Sequence, residues 1–299
     1  MPLFCAGSQP RATMSHTSLE GAAIMPNGSK IKPESDYDVL YRIMTTRMSV
    51  RRIRPDPIPE EYVEKILEAG RWAMSGANGQ PWEYLVIKDP KRKRDLYDAF
   101  QDTSTEFCFW MEQMRPFELR HPAFQVKGDD LKDEWQKIRN STGGQQRRPW
   151  HEAPVVIVVL GDGRRQWATV NAAFTFGRHA SHFTDGLANT CTHMQLAIAS
   201  LGLGSHWGTV HVQEPLKRVL GVPDLIDVYL IISVGFADIE RKPGVRRDLK
   251  ELVHRETYDM SKFMSNEDII DYLYKLRGKT MFRYHLKDSL LPGAGDKKG

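Results

Sequence analysis

The sequence predicts an α+β fold. Three segments have the length and composition of buried strands, helical patterns outnumber them, and the two kinds do not alternate in a regular strand–helix–strand order. At 299 residues the chain is long enough for one large domain or two small ones. Its 40% hydrophobic and 27% charged content is ordinary for a globular protein.

Residues 1–35 are rich in Ser, Gly, Pro and Thr, without periodicity, and read as a flexible tail or an arm lying on a partner. In "DYDVLYRIMTTR", Val39, Leu40, Ile43 and Met44 share one helical face. "IPEEYVEKILEAGRWAM" is a second helix, with Pro59 and two glutamates in its first turn and Val63, Ile66, Leu67 and Gly70 on one face. "WEYLVIKD" is a strand, and "PKRKRDLYDAF" a helix that opens on a proline. Residues 101–150 mix Phe107, Phe109, Trp110, Phe117, Phe124 and Trp135 with many charges, and read as an inserted helical excursion. "APVVIVVLGD" is apolar throughout and β-branched, a strand buried on both faces. "FTDGLANTCTHMQLAIASLGLG" is a long central helix that stops at Gly202 and Gly204. "DVYLIISVGFA" is another buried strand, and "SNEDIIDYLYKL" a late helix with Ser265 as N-cap and Asp268 three residues on. The Gly- and Lys-rich residues 290–299 form a flexible tail.

Several function classes are disfavoured. The net charge of +4 is scattered, which suits a small bound anion as well as a polyanion, and no nucleic-acid partner is expected. No apolar run reaches the roughly 18 residues of a membrane span. The N-terminus lacks the pattern of a secretory signal. Cys5, Cys108 and Cys191 are odd in number and far apart, which favours a reducing, cytoplasmic setting. The sequence has no GxGxxG after a strand, no GxxxxGK[ST] and no HExxH. His179, His182 and His193 have no suitably spaced carboxylate or thiol, so no metal is expected.

Two short stretches carry more information. In "TTRMSVRRIRPDPIP", Arg47, Ser49 and Arg51 alternate. In an extended segment they point the same way, two guanidiniums and a hydroxyl forming a clamp for phosphate or carboxylate. Arg54 falls on the other side. In "RWAMSGANGQPWEYLVI", the small residues Ser75, Gly76, Ala77, Asn78 and Gly79 separate a helix from a strand, where they would let a flat group approach the backbone.

"RMSVRRIRPDPIP…ILEAGRWAMSGANGQPWEYLVI", "LAIASLGLGSHWGTV" and "ISVGFADIERKPGVRRDLKELVH", in this order, resemble the nitroreductase family of FMN-dependent flavoproteins over residues 40–256. The resemblance implies a nitroreductase-like α+β fold, a small mixed sheet flanked by helices, within one FMN-binding domain at residues 36–289. It also implies an intertwined homodimer, FMN at the interface, and a C-terminal arm at 257–289 crossing to the other chain. It carries Arg47, Met48 and Ser49 to the FMN phosphate and ribityl chain. Arg51 goes to the N1/C2-carbonyl edge, where a cation favours the reduced ring. Ser75, Gly76, Ala77 and Asn78 go to the pyrimidine edge. Gly208 and Thr209, in the turn after "GLGSHW", would lie near flavin N5, and Arg246, or its neighbour Arg247, near the phosphate. Met48 stands where the family often has arginine, and Met74 where it usually has proline. Met48 therefore offers the phosphate only its backbone N–H.

The activity so implied is oxidoreductase chemistry of ping-pong type. NADH or NADPH gives electrons to FMN, and a nitroaromatic, quinone, activated alkene or halophenol takes them. No protein acid or nucleophile is required. Phe107, Trp110 and Phe117 of the excursion are candidate substrate contacts in a lid. The iodotyrosine-deiodinase branch is an alternative that Thr209 fits, although the excursion has no tyrosine. A flavin-fragmenting enzyme of the dimethylbenzimidazole-synthase type and a non-catalytic flavin-binding protein are the others.

Overall fold

In the computed structural model, residues 35–114, 149–165, 179–240, 246 and 248–269 are described. The chain divides into a unit ending at Arg42 and a body beginning at Ile43. In the first unit helix α1 (Asp36–Thr46) begins. Ser35 caps it reciprocally: Ser35 Oγ donates to Asp38 Oδ2 at 2.5 Å and accepts the Asp38 N–H at 3.2 Å. Tyr37 and Tyr41, one turn apart, stack at 5.9 Å.

The body is built on four strands, β1 (Trp82–Ile87), β2 (Val155–Asp162), β3 (Gly204–Thr209) and β4 (Ile226–Gly235), in the order β1-β2-β4-β3. Every pair is antiparallel. This corrects the expected mixed sheet: among the described residues the one parallel contact is an isolated bridge between Ser49 and Ser205. It also corrects the placing of Gly208 and Thr209 in a turn after "GLGSHW": "GSHWGT" is β3 throughout. Two glycines give that stretch poor strand propensity, but pairing with the apolar β4 overrides it.

β2 is buried along its whole length because helices cover both faces. On one face Val155, Ile157 and Val159 join Leu230, Ile232 and Val234 against α2 (Glu60–Arg71) and the central helix α4 (His179–Ser200). On the other, Val156, Val158 and Leu160 join Val228 and Ile231 against α3 (Pro90–Gln113) and α5 (Glu214–Leu220). The register slips by one residue between Val159 and Leu160, which gives β4 an extra residue at Tyr229. Across that bulge Val228 and Leu230, two residues apart, face opposite sides of the sheet.

The expected excursion at 101–150 has different edges. α3 runs unbroken to Gln113, so the first part of that stretch is its second half. At the other end Trp150 is buried under α3, with ring centroids 5.0 Å from Tyr97 and 5.6 Å from Phe100. Residues 115–148, with Phe117, lie outside the described residues.

At the end of β2 the buried Asp162 accepts from Arg164 Nε at 2.8 Å and Nη2 at 2.9 Å. Those hydrogen bonds hold its carboxyl below the usual range. A depressed folded-state pKa contributes stability above the unfolded value and loses it as pH falls through the folded one. Asp162→Asn should therefore lower the melting temperature at pH 7 and leave it nearly unchanged at an acid pH below the folded-state pKa, where the wild-type carboxyl is itself neutral. An equal loss at both pH values would show that the ion pair is not the cause.

Past β4 lies the short helix α6 (Leu249–Leu252), capped by Asp248, whose carboxylate accepts the Lys250 N–H at 2.9 Å. Ser265 caps the next helical turn as expected, with its Oγ donating to Asp268 Oδ2 at 2.9 Å and accepting the Asp268 N–H at 3.1 Å. The rest of that helix and of the expected arm, from 270 on, lies outside the described residues. Leu249, Leu252, Tyr258, Met260 and Phe263 of this segment are exposed.

Candidate functional site

Residues 47–54 are held between β3 and the segment following β4. The Val50 N–H donates to Ser205 O at 2.7 Å, Arg54 N–H to Phe236 O at 2.8 Å, and Asp238 N–H to Arg52 O at 2.8 Å. Two glycines permit this closeness: a Cβ on Gly204 would lie 2.9 Å from Val50 Cγ2, and one on Gly235 2.6 Å from Ile53 Cγ2. The seating sorts the arginines. Arg52 pairs with Asp238 at 2.9 Å, while Arg54 pairs with Asp56 at 3.1 Å and covers the Phe236 ring. Arg51 is exposed, Arg47 and Ser49 are half-buried, and the Met48 side chain turns inward to Val50 and Ile53.

Arg246, from the segment after β4, lies near enough to Arg47 for its charge to be felt there. Burial first, and the positive charge of Arg246 second, push the Arg47 pKa down. A half-buried guanidinium whose charge is disfavoured in this way is one that a bound anion would balance. Arg247 lies outside the described residues. Arg47 and Met48 also border a small cleft with Ile198, Leu203, Ser205 and Gln195. Gln195 is buried; its Oε1 accepts from Ser205 Oγ at 2.5 Å, and its Nε2 has no hydrogen-bond partner among the described residues. The sequence reading missed it, although a glutamine on the buried face of an apolar helix, beside Met194, was the available signal.

The small-residue stretch forms a 3₁₀ turn, Gly76–Asn78. Gly76, Ala77 and Asn78 are exposed and Ser75 is half-buried. Ala77 (φ 50°), Asn78 (φ 53°) and Gln80 (φ 47°) all lie in the left-handed region, each at a cost of about 1–2 kcal/mol for a residue with a Cβ. Gly79, the residue best suited to that region, has an ordinary φ of −68°. Strain of this kind persists where surroundings impose it, and it gathers at ligand sites. Here Asn189 Nδ2 donates to Met74 O at 3.1 Å and Ser75 Oγ accepts the Gln80 N–H at 2.9 Å.

Gly208 is buried, and a Cβ there would meet Ile231 O at 3.1 Å. Thr209 is exposed at the end of β3. Just beyond it, His211 stacks on Phe107 of α3 with centroids 4.1 Å apart and planes 5° from parallel. Burial lowers the His211 pKa. Trp110, a turn further along α3, is exposed.

Within one chain these groups do not all meet. The clamp borders α4 near Gln195, whereas the 75–80 loop borders it near Gly186 and Asn189. Nine residues from Gly186 to Gln195 span about 13 Å of helix. Among the described residues no three His, Cys, Asp or Glu side chains gather as metal ligands. Burial pushes the Cys191 thiol up to about 12, which makes it an inert part of the core. An anion clamp, an exposed strained loop of small residues and an aromatic rim fit a cofactor with a phosphate at one end and a flat, hydrogen-bonding ring at the other.

The nitroreductase family model matches residues 44–236, and the chain belongs to that family, whose members are in general flavin-dependent oxidoreductases. It is 27% identical over 214 residues to an NADH dehydrogenase of Thermus thermophilus, covering 69% of this chain and 91% of that protein. It is 25% identical over 231 residues to an iodotyrosine deiodinase of Haliscomenobacter hydrossis, covering 76% and 93%. Among solved structures, an iodotyrosine deiodinase bound to FMN and 3-iodo-L-tyrosine matches with a TM-score of 0.52 at 21% identity, over 74% of this chain and all of that one. That last likeness speaks for the fold. No helix among the described residues is long and apolar enough to cross a membrane.

Proposed function

We propose that the protein is an FMN-dependent oxidoreductase that acts as a homodimer, taking electrons from NADH or NADPH and passing them to an electron-poor aromatic or activated acceptor. The observation that carries this reading is the seating of Arg47 and Ser49, half-buried on the segment held against β3, with Arg246 near enough to act on the Arg47 charge. Arg47, Arg246, Ser49 and the Met48 N–H would hold the phosphate, and Arg51 the N1/C2-carbonyl edge. Ser75, Gly76, Ala77 and Asn78 would take the pyrimidine edge. When bound, FMN supplies the electron-transfer chemistry. The chain's residues bind and orient it, and Gly208 and Thr209 border the reacting end. NAD(P)H and acceptor would use the same ring face in turn, the ping-pong scheme. Phe107, Trp110 and Phe117 would bound the acceptor.

The clamp and the loop border α4 about two turns apart, which supports a site shared by two chains, one supplying the clamp and its partner the loop. So does the exposed apolar surface of Leu249, Leu252, Tyr258, Met260 and Phe263. The purified protein should be yellow with one FMN per chain, bleach anaerobically with NADH or NADPH, and regain colour on adding a nitroaromatic or quinone. A colourless protein that gains no flavin spectrum on incubation with FMN rejects the reading.

Truncation after Glu256 should give insoluble or FMN-free material, because it removes apolar surface the dimer would use. A soluble, flavin-loaded monomer in sedimentation would show that the arm is dispensable. A second reading, reductive deiodination of an iodotyrosine-like substrate, is favoured by the likeness to the Haliscomenobacter hydrossis protein. Reoxidation by 3-iodotyrosine with release of iodide would support it; reoxidation by nitroaromatics alone would exclude it.

A further inference from the structure

Gln80 belongs to none of the contacts assigned so far, yet its hydrogen bonds determine what the neighbouring loop can offer a ligand. Its Nε2 faces two oxygens of one residue, Asn78 O at 3.4 Å and Asn78 Oδ1 at 3.2 Å. The first removes any ambiguity about amide orientation. A backbone carbonyl only accepts, so the Gln80 atom facing it is the NH2 group. The Asn78 atom facing that same NH2 must then be its carbonyl oxygen. With Oδ1 engaged, Asn78 is left with Nδ2, a donor of two hydrogens, to present elsewhere. Ser75 is polarised in the same sense. Its Oγ accepts the Gln80 N–H at 2.9 Å, which leaves the hydroxyl hydrogen to be donated. Asn78 is exposed and Ser75 half-buried, so both donors are close to the surface that a ligand would meet.

We propose that Gln80 is a positioning residue that fixes the 75–80 loop as a donor surface, so that it recognises carbonyl oxygens on the edge of a ring rather than a ring N–H. The proposal rests on the FMN reading and deepens it. The pyrimidine edge of a flavin carries two carbonyls flanking one N–H, and Gln80 selects the carbonyls as partners of Asn78 and Ser75. It acts through Asn78, not by touching the ring.

The test is a double-mutant cycle on FMN affinity, read by quenching of flavin fluorescence as apo-protein is titrated. Gln80→Met has similar length and the same backbone demand but no donor, so the Asn78 amide is free to turn over. It should weaken FMN binding about tenfold, the scale of one lost charge-free hydrogen bond with its geometry. Asn78→Ala should weaken it by a similar factor, and the double variant no further than Asn78→Ala alone. Gln80→Lys retains N–H donors within reach of both Asn78 oxygens and should stay within about threefold of wild type. It keeps the proposal falsifiable if the methionine variant does not fold. The bound flavin should also become harder to reduce in Gln80→Met, because donors to the ring carbonyls favour the reduced ring. Losses that add in the double variant, or wild-type affinity in Gln80→Met, or a tenfold loss in Gln80→Lys, would overturn the role of Gln80 while leaving FMN binding intact. A wild-type protein that takes up no FMN would instead overturn the reading beneath it.

Discussion

Arg47→Ala and Arg246→Ala each weaken FMN binding by about 1.5–3 kcal/mol, the scale of a hydrogen bond to a charged group. Arg52→Ala and Arg54→Ala should do little, because those side chains are already spent on Asp238, Asp56 and the Phe236 ring. The two site arginines have a second signature. In the apo-protein Arg246 disfavours the charge on Arg47, so its removal relieves repulsion. The stabilisation of Arg246→Ala by added FMN should fall sharply below that of the wild-type protein. Thermal melts with and without FMN decide the matter. A variant that loses stability in the apo form and keeps full stabilisation by FMN would make Arg246 a structural residue.

The second large effect concerns the seat of the clamp. Gly235→Val should lower stability by about 1–3 kcal/mol or more through overpacking and should abolish FMN uptake as well. The first atom of any side chain there would lie 2.6 Å from Ile53 Cγ2 and 2.8 Å from Pro154 Cδ, so it is blocked on two sides. Relief is available by pushing the 49–54 segment off β4, which would break the Arg54 and Asp238 backbone bonds and move Arg47 and Arg51 with them. Gly163→Ala is the control, since nothing lies within 4 Å of a Cβ there. If Gly235→Val melted lower yet bound FMN normally, the clamp would not depend on this contact.

Much of this was legible in the sequence because it depends on short-range chemistry. Continuous β-branched runs gave β2 and β4, and the alternation of Arg47, Ser49 and Arg51 set them apart from Arg54. The Ser265 cap was visible from its aspartate three residues on. What escaped depends on partners distant in sequence. β3 has two glycines and poor strand propensity, and it is a strand only because β4 lies beside it. The strain at Ala77 and Asn78 was hidden because glycines stand on either side, where such backbone is expected, and the one at 79 does not adopt it. Gln195 and Ser205 are ten residues apart across a helix end, and their pairing has no local pattern.

In this sheet no two neighbouring strands are joined by a hairpin. β1 and β2 are adjacent, with Ile87 opposite Val156, yet nearly seventy residues separate them. The cost of closing such a loop grows only with the logarithm of its length, and doubling it costs about 0.6 kcal/mol. Folding speed bears the burden instead, since every strand pairing waits on a distant segment. Lengthening or shortening the part of that connection beyond the end of α3 at Gln113 should therefore hardly disturb the equilibrium of the fold. A lineage could exchange that stretch repeatedly, testing one acceptor after another, while the sheet beneath it and the anion clamp stayed the same.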